Sequence, residues 1–154
     1  MTVQDGVPQT LSIGGVDNSL TQSGYDRPIA TGVSPYPANQ TTAQWLNPAA
    51  FVEAPLGTFG NVGRDDVQAP PVFGFDAELH KSWSMPYNEH HRLQFRFEAF
   101  NVVNHPNWSA PNGNILSGGT VPGAAPNAPH AGFGVISGIA TPMRQLQVAL
   151  KYTF

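Results

Sequence analysis

Residues 143–154 read MRQLQVALKYTF. Leu146, Val148, Leu150, Tyr152 and Phe154 fall on one face, and Gln145, Gln147, Ala149, Lys151 and Thr153 on the other. A period of two, with one apolar and one polar side, marks a β-strand. The alternation runs unbroken to the aromatic residue at position 154. A soluble domain can end on such a strand. A barrel strand with lipid on one side and water on the other has the same pattern.

Two segments upstream repeat the period. Residues 73–83, FGFDAELHKSW, place Phe73, Phe75, Ala77, Leu79 and Trp83 on one face, with Lys81 near its end. Gly74, Asp76, Glu78, His80 and Ser82 take the other face. A short polar connection over 84–91 follows, and then residues 92–103, RLQFRFEAFNVV. Here Leu93, Phe95, Phe97, Ala99 and Val103 face one way, and Arg92, Gln94, Arg96 and Glu98 the other. The aromatic and β-branched content favours strand over an amphipathic helix. Pro106, within Asn104-His105-Pro106-Asn107, is expected to end this strand, because proline has no amide hydrogen for the ladder.

Between these segments the chain is punctuated by prolines at 28, 35, 37, 48, 55, 70 and 71, and again at 111, 122, 126 and 129. Asp17-Asn18-Ser19 has turn chemistry. Thr42 or Asn47 is placed to cap a helical turn beginning at Pro48. Residues 133–139 are a candidate short β-segment. The expected order is a strand end over 1–13, a loop over 14–72, a strand hairpin over 73–103, a loop over 104–142 and a terminal strand over 143–154. The chain is therefore all-β, with about four antiparallel strands and two long Pro/Gly-rich loops.

Strand length separates the two readings of the terminal strand. About 12 residues at ~3.3 Å each make ~40 Å, which spans ~28 Å when tilted by ~45°. Strands of soluble sandwiches usually have ~5–6 residues. A short turn at one end and long loops at the other are also the habit of outer-membrane barrels. Trp83, Tyr152 and Phe154 gather at the turn end, as an interfacial aromatic girdle would. Lys81 lies close enough to that boundary for its ammonium to reach water.

Composition agrees. Charged residues make up 11% of the 154, against ~25% in soluble proteins. The net charge of -3 gives no basic face for nucleic acid. Without cysteine there is no disulfide framework or thiolate metal site. A hydrophobic fraction of 40% is too high for simple disorder. No apolar run approaches the ~18 residues of a membrane helix. The opening MTVQDGVPQT lacks the basic start and apolar core of a secretory signal. The chain is accordingly expected to be part of something longer.

No catalytic, metal or cofactor site is expected, and the chain is read as a non-enzyme. His90 and His91 are adjacent, so on a strand they point apart and cannot chelate together; in a turn they are solvated. Asp65-Asp66 lacks the regular oxygen ligands of a calcium loop. Gly57, Gly60 and Gly63 have no following helix to hold a phosphate, and suggest a loop folded around Phe59. Asp76 and Glu78 share a strand face, where a paired-carboxylate site competes with cross-strand ion pairing. If Trp83 lies opposite His91, Glu78 faces Arg96 and Asp76 faces Glu98. One residue pair along, Glu78 faces Glu98. Cross-strand attraction favours the first register by ~0.5 kcal/mol, making Glu78 and Arg96 a lumen-facing polar pair.

Several blocks carry a family resemblance. They are GVDNSLT over 15–21 with Asp26-Arg27-Pro28, WLNPAAF over 45–51 with GTFGNVGR over 57–64, LQFRFEAFN over 93–101 with NHPN over 104–107, and FGVIS over 133–137 with RQLQVALKYTF over 144–154. In this order they resemble the C-terminal end of TonB-dependent outer-membrane receptors. The similarity is to the Oar-like type, which carries a carboxypeptidase-regulatory-like domain ahead of the barrel. The resemblance implies a plugged barrel of about 22 strands in the bacterial outer membrane. It implies uptake or export of a bulky solute, driven by a TonB-type energising complex through the N-terminal part of the receptor. The implied partners are outer-membrane lipid, the remainder of the barrel and plug, and the barrel-assembly machinery. That machinery would recognise the terminal strand, with Leu146, Val148, Leu150, Tyr152 and Phe154 on the lipid face. No cofactor and no nucleic acid are implied. The competing reading is a secreted or surface β-domain that binds carbohydrate or protein through Trp45, Trp108 and the loops.

Overall fold

A computed structural model describes residues 1–22 and 24–154. The chain is all-β, with antiparallel strands and, among the described residues, a single 3-10 turn. It divides into a strand unit, comprising Met1–Gln4, Pro71–Asn107 and Ile139–Phe154, and a loop unit, comprising Asp5–Pro70 and Trp108–Gly138.

In chain order the strands are β1 (Thr2–Gln4), β2 (Pro8–Gln9), β3 (Ile29–Ala30), β4 (Phe51–Val52), β5 (Val67–Gln68), β6 (Val72–Gly74), β7 (Ala77–Met85), β8 (Asn88–Phe100) and β9 (Gln145–Thr153). The strand unit contains the sheet β7-β8-β9 and the antiparallel pair β1-β6. At 13 residues, β8 rises roughly 44 Å at ~3.4 Å per residue. It is hydrogen-bonded along both edges, to β7 and to β9.

The connection between β7 and β8 is tighter than the sequence suggests. The strands run to Met85 and resume at Asn88, leaving a turn at Pro86-Tyr87. The ladder then jumps from Met85↔Asn88 to Ser84↔Arg92, so residues 89–91 of β8 have no counterpart on β7. That irregularity sets the register. Trp83 lies opposite Leu93 rather than His91, and Glu78 lies opposite Glu98 rather than Arg96. The expected register counted only directly opposed charges. In the observed one an apolar pair forms at Trp83, and Arg96 relieves the two carboxylates from a diagonal position.

The N-terminal and loop segments also depart from expectation. Residues 10–13 are not a strand end. Leu11 and Ile13 are fully buried, and Ser12 forms only an isolated bridge to Asn114. Residues 133–139 form no strand: a turn ends at Gly134, residues 135–137 are irregular, and Ile139 takes part in no more than an isolated bridge. β8 ends at Phe100, six residues ahead of Pro106, so proline is not what stops it.

The two long loops fold together. Leu11, Ile13, Leu46, Ala50, Phe51, Val62, Val67, Ile115 and Phe133 form a common core, with Tyr36, Trp45 and Leu116 packed against it. The rings of Phe51 and Phe133 meet edge to face at 5.6 Å. Backbone polar groups in this core are met by short local devices. Asn47 caps the 3-10 turn Pro48–Ala50, its side chain accepting from the Ala49 amide at 3.1 Å. Asp17 gathers the turn that follows it, accepting from the amides of Thr21 at 3.0 Å and Gln22 at 2.8 Å. These bonds help hold Leu20 and Gln22 at φ of 60°, which non-glycine residues seldom adopt.

The glycine-spaced segment is organised by close backbone approach rather than around Phe59, which is 72% exposed. A Cβ on Gly60 would lie 1.9 Å from the Arg27 carbonyl oxygen and 2.4 Å from that of Pro28. The Val62 amide donates to the same Pro28 oxygen at 3.2 Å. Gly60→Ala should therefore push the two segments apart and weaken the loop unit by about 1–3 kcal/mol. Gly57→Ala, with open space around it but a φ of 78°, should cost about 1 kcal/mol. Hydrogen exchange at the Val62 amide reads the difference. Equal protection in the two variants would contradict the close approach.

Candidate membrane-facing sheet

Pairing β7, β8 and β9 aligns their period-two patterns. One face of the sheet carries Leu79, Lys81 and Trp83 of β7, Leu93, Phe95 and Phe97 of β8, and Leu146, Val148, Leu150 and Tyr152 of β9. Cross-strand rows run Leu79–Phe97–Val148, Lys81–Phe95–Leu150 and Trp83–Leu93–Tyr152. This face is open: Leu79, Leu146, Val148 and Leu150 are 59–69% exposed, and Trp83 and Tyr152 about 45%. Burying a side chain of this size is worth roughly 1.5–3 kcal/mol, so the six together forgo on the order of 10 kcal/mol in water. That is comparable to the whole net stability of a domain, about 5–15 kcal/mol. Phe154 follows the ladder, 88% exposed, its ring 6.1 Å from that of Tyr152.

The opposite face is polar. Arg96 Nε lies 3.1 Å from Glu78 Oε1, and Arg96 Nη2 lies 2.6 Å from Glu98 Oε1. One guanidinium thus holds two carboxylates that the register sets directly opposite each other. Glu78 and Arg96 meet diagonally, not in the directly opposed register expected from cross-strand attraction. Arg96 and Glu78 are half-exposed and only Glu98 is more covered, so in water the network contributes little to stability. Asp76 does not reach Glu98; its carboxylate accepts from the Asn101 amide at 2.9 Å.

At the turn end of the sheet, Tyr152 Oη lies 2.8 Å from Tyr87 Oη and 2.6 Å from His91 Nδ1. The His91 ring meets the rings of Tyr87 and Tyr152 at 5.5 and 5.7 Å. His91 is thus engaged rather than merely solvated, and it fastens β9 to the hairpin. Trp83 shares this end through its row with Leu93 and Tyr152.

At the other end of the strands three asparagines spaced by three residues do the joining. Asn101 and Asn104 take φ of 49° and 54°, a left-handed conformation that asparagine tolerates better than most residues. The Asn101 side chain accepts from the His105 amide at 3.0 Å and donates to the carbonyls of His105 at 2.9 Å and Pro142 at 3.3 Å. Asn104 accepts from the Arg144 amide at 3.0 Å, just ahead of β9. Asn107, 2% exposed, accepts from the Phe73 amide and donates to the Phe73 carbonyl and to Thr141 Oγ1, each at 2.8 Å. The only sequence signal for this node is the repeated asparagine after an amphipathic strand. Its long-range partners leave no local trace.

The two tryptophans of the surface-binding reading have different surroundings. The Trp45 indole N–H donates to the Gln68 carbonyl at 3.0 Å, and its ring packs on the loop-unit core. Trp108 is 38% exposed.

A family model described as outer membrane beta barrel domain matches residues 1–147. No curated protein and no solved structure matches the chain.

Replacing Asn107 by alanine leaves the Phe73 amide and carbonyl without their partner. The expected loss is about 1–3 kcal/mol, visible as a lower temperature for losing the compact, heat-modifiable form on a denaturing gel. Val103→Ala, at an exposed position, should leave that temperature in place. An unshifted midpoint for Asn107→Ala would mean that the node does not hold the strand ends.

Proposed function

The chain belongs to the outer membrane beta barrel domain family, and from that premise we propose that it forms the C-terminal wall segment of a TonB-dependent, Oar-like transporter for a bulky solute. The observation that carries the proposal is the open apolar face of the β7-β8-β9 sheet, on strands long enough to cross a bilayer. Lipid supplies the apolar surroundings that water withholds from this face. In this reading Leu146, Val148, Leu150, Tyr152 and Phe154 contact lipid, with the Tyr87, His91, Tyr152 and Phe154 rings at the periplasmic rim. Lys81, one row in from Trp83, extends its ammonium to that rim.

Glu78 and Arg96 face the lumen, where water or the plug surrounds them. The role is barrel construction and solute passage rather than catalysis. Its partners are lipid, the other strands and plug of the barrel, the assembly machinery that receives the terminal strand, and a TonB-type energising complex. Support for the TonB-dependent, Oar-like assignment comes from the ordered sequence blocks, several of which fall on the turn-forming and node residues described above.

Adjacent residues of β9 give a direct test. An arginine on the lipid face near mid-span costs ~2–4 kcal/mol, whereas lumen positions tolerate charge. Val148→Arg should sharply reduce the heat-modifiable form in the outer-membrane fraction, and Gln147→Arg should leave it near the unmodified level. Equal accumulation of the two variants would refute the assignment of faces. The energy source is tested separately: in cells lacking the TonB-type complex, the protein should still assemble but solute accumulation should cease.

A further inference from the structure

Two sequence blocks that the barrel does not use, Asp26-Arg27-Pro28 and residues 57–64, meet within the loop unit. Residues 25–28 alternate. Tyr25 and Arg27 are exposed, whereas Asp26 and Pro28 are buried. The inward residues are fixed. Asp26 accepts from the Ser19 amide and from Ser19 Oγ, both at 2.7 Å. Pro28 is fully buried, and its carbonyl receives the Val62 amide at 3.2 Å. Gly60 presses against the backbone of the same strut. The strut therefore presents Tyr25 and Arg27 outward on a rigid base, with little ordering left to pay for on binding.

Between this strut and the neighbouring turn lies an open surface cavity of about 390 Å³, lined by Thr21, Tyr25, Asp26, Arg27, Phe59 and Gly60. Tyr25 is 84% and Phe59 72% exposed, an unusual degree for two aromatic rings beside one depression. The polar groups have a definite sense. Arg27 offers N–H donors and no acceptor, with one of them directed to the Val62 carbonyl at 3.4 Å. The Asp26 oxygens are turned inward to Ser19. A ligand must then bring an apolar ring face for Tyr25 or Phe59 and an acceptor edge, preferably anionic, for Arg27.

We propose that this cavity binds an acidic sugar residue of a polysaccharide. A uronate ring has a C–H face that lies on an aromatic side chain, and its carboxylate matches the planar fork of a guanidinium. The cavity is too open to enclose a small molecule, since such sites usually bury most of the ligand. It suits one unit of a polymer that continues past it. The net charge of -3 disfavours any general attraction for a polyanion, so binding has to come from a local site. The site lies wholly within the loop unit and does not depend on whether the barrel transports.

The test is affinity electrophoresis of the intact protein in mild detergent at ~0.15 M salt, where long-range charge effects are screened. The gels contain polygalacturonate, neutral dextran or poly-glutamate. Retardation by polygalacturonate alone is expected. Arg27→Gln and a Tyr25→Ala/Phe59→Ala double variant should each weaken it about tenfold. Because all three side chains are exposed, the heat-modifiable mobility of the variants should match the parent. Val33→Ala, also exposed but outside the cavity, should bind as the parent does. No retardation by polygalacturonate overturns the proposal, as does unchanged retardation of the variants. Equal retardation by poly-glutamate reduces the site to charge recognition, and equal retardation by dextran removes the role of the acid group; either result overturns the assignment.

Discussion

The strand unit depends on β8 being paired along both edges. A strand can keep all its alternate backbone groups satisfied only if a neighbour lies on each side. β8 has this over most of its length, with β7 on one side and β9 on the other. Its alternation then dictates theirs. Phe97 meets Leu79 on one side and Val148 on the other, while Phe95 meets Leu150 and, on β7, Lys81, of which only the methylene stem is apolar. A slip by one residue would bring Gln147 and Gln94 onto the apolar face. The face is therefore a property of three strands together, and only in the assembled sheet does it become large enough to demand a non-aqueous neighbour.

Holding that register falls to polar groups at the two ends. At the turn end, the unmatched residues 89–91 are accommodated while Tyr152 is tied to Tyr87 and His91. At the far end Asn101, Asn104 and Asn107 each span a different junction: β8 to the segment before β9, the turn to Arg144, and the β6 backbone to Thr141. Asparagine serves here because it combines a donor and an acceptor on a short arm and accepts the left-handed backbone. The loop unit solves a different problem. Its segments are too irregular to pair their backbones along ladders, so caps and carboxylate turns take that role around a small core.

This division explains what the sequence revealed. The strands were legible because period two is local, and the apolar set of β9 could be listed residue by residue. The register was not, because the bulge over 89–91 leaves no periodic signature and Arg96 acts diagonally. Glu78 and Arg96 meet, but from diagonal positions, whereas the period-two pattern alone allows them to be set directly opposite. The loops looked unstructured because their core residues, such as Leu11, Leu46 and Ile115, are scattered singly among prolines and glycines. Only contact between distant segments makes them a core. In sequence Asn107 belongs to a strand-stop motif, whereas its effect comes from Phe73 and Thr141, each 34 residues away.

The sheet has one further physical consequence. Among the described residues, β9 pairs only with β8, so its outer edge carries a row of backbone donors and acceptors without strand partners. In water such an edge is an aggregation hazard that proteins blunt with charge or proline. Residues 145–153 contain a single charge, Lys151, and no proline. In hydrocarbon each unsatisfied group costs several kcal/mol. The same strand that presents Leu146, Val148 and Leu150 to an apolar medium therefore cannot enter that medium with its edge bare. Lipid contact and edge pairing have to be achieved together, which makes closure by further strands a condition of membrane insertion rather than a later refinement.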